Sequence, residues 1–388
     1  MTVRSVSNHR SVLLILAIGT FIVGTDGFVL NGLLPDIARD LDVSEAAAGQ
    51  LATIFAITYA IASPVIAGAT GTWDRKILLI GGMGLFTIGM VGQAIGATYL
   101  IVAVARVLAA IGAAAFQSTA YVVAGALSPP ERRGRALSTV AAGMSVSMVL
   151  GVPLGVYMGQ WTSWRTTMWL IAAVGVVVGL VVLRVPSVRV PAVALRDRLR
   201  TAVQPAVTVV LLITVLAAVG SFAVFVYIPL IVAPSATGAA LVWVLAVAGV
   251  GQVLGNSLTG SGTDRFGSHR MRLVSLGGSV VTLLSLNLAA PSLWSNLVAW
   301  LAFGTFTGML MVAQQHRLLS VAPQASIVAL GLNGSAIYLG SGIGALVGGA
   351  VLSGWGVGWL SPIAGAAAAA ALITAVLFDR KSKVLANT

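Results

Sequence analysis

Apolar residues in this chain fall in long unbroken runs separated by short polar breaks. Twelve such runs lie at 12–34, 46–69, 77–96, 99–124, 137–159, 167–184, 205–231, 239–262, 273–290, 292–313, 327–352 and 358–378. A hydrocarbon core about 30 Å thick is crossed by about 20 residues of helix, so each run predicts one spanning helix. A membrane barrel would instead show segments of about 10 alternating residues. The runs are rich in Gly, Ala and Val, with 45 glycines in all, which suits helices that approach closely where lipid removes the hydrophobic drive to associate. Arg4 and Arg10 precede the first run as the basic end of a secretory signal would. That run is too long and lacks a small-residue cleavage site, so it is predicted to stay as the first helix.

Composition strengthens the membrane reading. The chain is 58% hydrophobic and only 8% charged, with a mean hydropathy of +1.01, whereas soluble domains carry about 25% charged residues. Its net charge of +12 is not a nucleic-acid signature, because no basic cluster is interleaved with aromatics and no nucleic-acid partner is expected. The charge is an orientation signal. With the N-terminus inside, 19 of the 22 basic residues fall in cytoplasmic segments, as positive-inside topology requires. Only Arg39 and Arg165 fall outside, and Arg106 lies within a run. The expectation is a multi-pass protein of the cell membrane, embedded in the lipid bilayer with both termini cytoplasmic. The chain has no cysteine, which excludes disulfides, thiolate metal sites and thiol nucleophiles. His9, His269 and His316 all sit near cytoplasmic edges, and no nucleophile–base grouping occurs mid-span, so neither an enzyme nor a metal or other cofactor is expected. No Gly-x-x-x-x-Gly-Lys-Ser/Thr loop is present to support ATP drive.

The runs divide into two sets of six around a polar segment with Pro186, Pro191 and several arginines. The predicted fold is an all-α membrane protein of twelve transmembrane helices in two pseudo-symmetric six-helix bundles, 1–184 and 205–388, joined by a cytoplasmic linker at 185–204. The halves also repeat. Asp74-Arg75 follows run 2 and Asp264-Arg265 follows run 8, and Gly81-Gly82 and Gly277-Gly278 recur at a similar offset of about half the chain. Repeated halves point to a carrier with its substrate site between them near the midplane, and away from a fixed-filter channel.

On these residues the chain resembles the major facilitator superfamily over essentially its whole length. The family's loop signature, Gly-x-x-x-Asp-Arg-x-Gly followed by basic residues, is met by Gly260, Asp264, Arg265, Gly267 and Arg270. The first copy, with Asp74 and Arg75, has Thr70 and Ile77 where glycines are expected. The resemblance implies a conformational latch at these positions; a loop that only sets topology is the alternative.

Two formally charged residues fall well inside runs, Asp26 in the first and Arg106 in the fourth. Intramembrane charges are costly and point to function with a named partner. A helix rise of about 1.5 Å per residue puts both about 21 Å from the cytoplasmic side. Burial disfavours a charged carboxylate and a neighbouring guanidinium favours it, so separating such a pair would switch proton affinity. A static ion pair pinning two helices is the alternative. Ala105-Arg106-Val107-Leu108 followed by Gly112 resembles the helix 4 signature of proton-coupled members, which implies a role for Arg106 in proton transfer.

The fifth run carries Gly151, Pro153, Gly155 and Gly159; the glycines, spaced by four, share one face, with Pro153 as a kink point. This resembles the drug:proton antiporter branch, with Val152 where that branch has Pro. Gly-Val-Pro-Leu-Gly, with Gly24-Thr25-Asp26-Gly27 in the first run and Leu34-Pro35-Asp36 at its end, is closer to the sugar-efflux and chloramphenicol-efflux subgroup. The resemblance implies export in exchange for protons by a chain acting alone.

Candidate substrate contacts are the polar and aromatic residues of the runs: Asn31, Phe55, Tyr59, Gln117, Tyr121, Tyr227, Gln252, Asn256, Asn333 and Tyr338. Gln117 returns to within about 20° of the Arg106 face, and Phe55/Tyr59 and Gln252/Asn256 are spaced by four. Interhelical hydrogen bonds and ordinary packing are the alternative for each. Together they describe a mostly apolar cavity suited to a small, moderately lipophilic compound. A drug such as chloramphenicol is the favoured cargo; a sugar or nucleoside exporter and a proton-coupled importer are the rivals.

Overall fold

The computed structural model describes residues 3–189 and 195–387, and every apolar run forms a helix in it. The first six are α1 (Val3–Gly32), α2 (Glu45–Ala69), α3 (Arg75–Ile95), α4 (Tyr99–Leu127), α5 (Arg133–Trp161) and α6 (Trp164–Val182). The second six are α7 (Pro205–Phe225), α8 (Ala239–Phe266), α9 (Ser268–Ala289), α10 (Leu293–Val321), α11 (Ser326–Trp355) and α12 (Leu360–Asn387). No strand occurs among the described residues. Side-chain caps fix several starts: Asp74 accepts from the Lys76 amide at α3, Thr98 from Ile101 at α4 and Ser163 from Arg165 at α6.

Two runs that read as single spans are broken near their far ends. α1 stops at Gly32 and a short helix, Leu34–Asp40, follows; α7 stops at Phe225 and Ile228–Val232 follows. Each short helix has a proline, Pro35 or Pro229, in its first turn, where the missing N–H costs nothing but a continuous helix would lose a bond. The same device at the same point of each half extends the internal repeat. Two other helices outlast their runs. α8 continues to Phe266, so Gly260, Asp264 and Arg265 lie on helix instead of in a loop. α10 continues to Val321, because Leu310, Ala313, Gln314 and Leu318 keep a buried stripe going past the apolar run.

The chain divides into two compact units: Met1–Val43 with Ile54–Leu195, and Ser44–Thr53 with Arg196–Thr388. The first turns of α2 thus group with the second unit. Residues 190–194 of the expected linker, Pro191 among them, lie outside the described residues; Leu195–Ala202 is helical.

In the first unit α5 seats on α1 through its glycines. A Cβ at Gly143 would stand 2.2 Å from the Ala17 carbonyl oxygen, at Gly151 2.1 Å from Thr25 Oγ1, at Gly155 2.7 Å from Val29 and at Gly159 2.5 Å from Leu33. Within this contact Ser147–Gly151 forms a π turn, the local widening that lets α5 change course just before Pro153. α3 and α4 approach as closely through Gly82, Gly89 and Gly112. At one end of the bundle Arg165 donates to the last carbonyls of α3, those of Gln93, Ala94 and Gly96, and pairs with Asp40 at 2.7 Å. The Trp164 indole also donates to Asp40. In the second unit Gly251, Gly255, Gly304 and Gly308 bring α8 and α10 backbone to backbone, and Gly340 and Gly344 do the same for α11 on α7.

Candidate functional site

Asp26 sits on α1 and Arg106 on α4, and both side chains are 0% exposed. Arg106 Nη1 donates to Asp26 Oδ1 at 2.7 Å. The guanidinium carbon lies 4.3 Å from the centroid of the Phe55 ring on α2, so one planar cation is held by a carboxylate at its edge and an aromatic face beneath it. The second carboxylate oxygen of Asp26, also buried, accepts no hydrogen bond. Ala105, Ala109 and Ala110 flank Arg106 on α4 and are buried, Ala105 and Ala109 against Gly89 and Gly92 of α3. Removing either charge would strand the other in a medium that solvates it poorly.

The remaining candidates separate by unit. In the first unit Tyr59 stands 6.3 Å from Phe55 between ring centroids, Asn31 is buried on α1, and Gln117 is buried on α4, several turns along from Arg106, with Tyr121 half-buried four residues on. Gln117 Oε1 is buried without a hydrogen-bond partner. In the second unit Gln252 and Asn256 are half-buried on α8, and Tyr338 is half-buried on α11. Tyr227, fully buried, donates its hydroxyl to the Ala345 carbonyl and is gripped by Gly348 and Gly349, so it clamps the broken end of α7 onto α11. Asn333 accepts from Thr214 on α7, which in turn accepts from Gln314 on α10. Gln314 and Thr214 were not among the sequence candidates. Gln314 falls one position past the apolar run, and only the continuing stripe of buried residues marks it as part of the helix.

The two Asp-Arg pairs do different jobs. Asp74 caps α3 and also accepts from the Ser187 hydroxyl and, at 3.1 Å, from the Val188 amide, while the Arg75 amide donates back to the Val188 carbonyl. Those donors, the Ser187 hydroxyl foremost, hold the Asp74 carboxyl below its ordinary range. Arg75 is buried, with its guanidinium on the Thr70 and Gly71 carbonyls. Arg265, by contrast, is exposed over Phe266, as are Gly260 and Arg270, and the side chain of Asp264 lies outside what is described. Gly267, at φ 83°, is the turn residue that needs to be glycine. The buried arginine of the second copy is Arg272, within α9, which the sequence placed in a loop. Among the described residues no three His, Asp or Glu side chains stand close enough to hold a metal ion.

The model of the Major Facilitator Superfamily matches residues 16–233 and 210–387. The inner membrane transport protein YdhP of Escherichia coli (strain K12) is 32% identical over 381 residues, covering 95% of this chain and 96% of that protein. A chloramphenicol resistance protein of Streptomyces lividans is 33% identical over 265 residues, 65% of this chain and 67% of its own length. Among solved structures, the nucleoside transporter NupG superposes with a TM-score of 0.77 at 11% identity, covering 95% of this chain and 99% of that one. A D-xylose-proton symporter superposes with a TM-score of 0.75 at 19% identity, covering 94% and 96%.

Proposed function

Because this chain belongs to the major facilitator superfamily, and is thus a multi-pass membrane transporter and not an enzyme, we propose that it exports a small, mostly lipophilic organic compound in exchange for protons. The observation that carries the reading is the Asp26–Arg106 pair, closed to solvent at 0% exposure on both sides and 2.7 Å apart. Nothing in the topology requires these charges, and a helix-pinning role would be served more cheaply by apolar packing. A pair that parts when the helices move would take a proton on Asp26 and release it when Arg106 returns. Phe55 keeps the guanidinium in place while its partner is neutral.

The compound class draws support from the Streptomyces lividans relative, whose name attributes chloramphenicol resistance to it, and from candidate contacts that are aromatic or neutral. On this proposal the substrate crosses by alternating access, protons are the coupling ion, one chain is the working unit and both termini face the cytoplasm.

The test is efflux of chloramphenicol from cells overproducing the protein, with and without an uncoupler. Asp26→Asn should stay in the membrane and lose export against a gradient; export at the wild-type level in that variant rejects the coupling role. Arg106→Lys keeps the charge but loses the planar fork that meets both Asp26 and the Phe55 ring, and a large fall in export is expected.

A further inference from the structure

α10 packs along α8 and α9 and meets α7 and α11 only lightly. Where it faces them, one layer is polar. Gln314 Nε2 on α10 donates to the Val210 carbonyl and to Thr214 Oγ1 on α7, each at 2.9 Å. The Thr214 hydroxyl, with one proton to give, lies 3.0 Å from Asn333 Oδ1 on α11 and 3.1 Å from the Val210 carbonyl. Thr214, Gln314 and Asn333 are 6%, 1% and 2% exposed.

One atom is left over. Gln314 Oε1 is a buried acceptor with no hydrogen bond. Turning the amide over does not cure this, because it would set oxygen against the Val210 carbonyl. A buried acceptor left unmade is a cost that an apolar residue of the same shape would avoid. Toward the first turns of α7 the layer is closed by Val207, Val210, Leu318, Ala322 and Ala329, which are apolar and buried. On this arrangement a ligand group would reach Oε1 from the mid-helix side, once α10 parts from its lightly packed neighbours.

We propose that Gln314 Oε1 is a recognition acceptor for the transported molecule: it takes a hydrogen bond from a neutral donor, a hydroxyl or an amide N–H, on an otherwise apolar compound. Thr214 and Asn333 are positioning residues that fix the amide. None of the three titrates, so the preference between donors that this contact sets does not itself depend on pH or on the charge of Asp26. The inference rests on the export reading for its choice of ligand, and its test is made at equilibrium, without a gradient, so that the two can fail separately.

The experiment is calorimetric binding to the purified full-length protein in detergent. The probes are chloramphenicol, its analogue with both hydroxyls replaced by fluorine, and its analogue methylated at the amide nitrogen. The wild-type protein is expected to favour chloramphenicol over one analogue by about tenfold, and which analogue loses identifies the donor. Gln314→Met should weaken chloramphenicol binding by about the same factor and leave that analogue unchanged, erasing the preference. Thr214→Val should move in the same direction, with Thr214→Ser restoring it. Asp26→Asn should keep the preference even though it stops proton-driven transport. The inference is overturned if the preference survives in Gln314→Met, if that variant weakens all three compounds equally, or if the wild-type protein binds none of them.

Discussion

At Gly143 the space for a side chain is taken by backbone: a Cβ there would meet the Ala17 carbonyl oxygen at 2.2 Å, and a main chain cannot swing aside as a side chain can. Overpacking of this kind costs about 1–3 kcal/mol. Gly143→Val is therefore expected to lower the thermal unfolding midpoint in detergent by several degrees, while Gly81→Ala, where nothing lies within 4 Å, leaves it unchanged. An unchanged midpoint for Gly143→Val would mean that α1 and α5 do not meet as described. The shared face of Gly151 and Gly155 was legible in their spacing; that the face belongs to α1 was not, since periodicity identifies a face but no partner. Asp26 and Arg106 were legible for another reason, because a charge in an apolar run stands out whatever surrounds it. Thr214 and Gln314 did not stand out. Thr is common in membrane helices, where its hydroxyl bonds back to the preceding turn, and Gln314 lay just beyond the hydropathy edge.

Among the elements, helix existence followed from hydropathy and helix ends did not. Apolar runs overshoot at Leu33 and Tyr227, where proline opens a new short helix, and undershoot at α8 and α10, where polar residues ride on helix that continues for packing reasons. The Asp-Arg repeat shows the same limit. The sequence pairs Asp74 with Asp264, yet Asp74 starts a helix and Asp264 lies near the end of one. What Asp74 does beyond capping is strap Ser187 and Val188 to the start of α3. A carboxyl held below its ordinary value of 3.8 keeps these bonds at every pH above that value and loses them only as pH falls through its lowered one. Protection of the Val188 amide from hydrogen exchange, corrected for the intrinsic pH dependence of exchange, should thus be flat from pH 8 to pH 5. At pH 7, Asp74→Asn should expose Arg189 to faster tryptic cleavage. Equal cleavage rates in the two proteins would show that the strap does not hold this segment.

For the molecule as a whole, the twelve helices were legible from the count of runs, and the sidedness of the basic residues predicts their orientation. A single misread helix would have scrambled every later loop. The absence of cysteine makes sidedness directly measurable. With single cysteines introduced as Thr162→Cys and Arg200→Cys, both at exposed positions, an impermeant maleimide should label the first in intact cells and the second only after permeabilisation. The reverse pattern would invert the topology and, with it, the direction assigned to transport. In the proposed exporter, substrate and proton movements are coupled through Asp26. The most direct measurement of this coupling is proton flux in proteoliposomes carrying a trapped pH indicator, when a chloramphenicol gradient is imposed with no initial pH difference. Substrate flow should drive protons the opposite way in the wild-type protein and drive none in Asp26→Asn. Substrate flow without proton movement in the wild-type protein, or equal proton movement in the variant, would rule out coupling at Asp26.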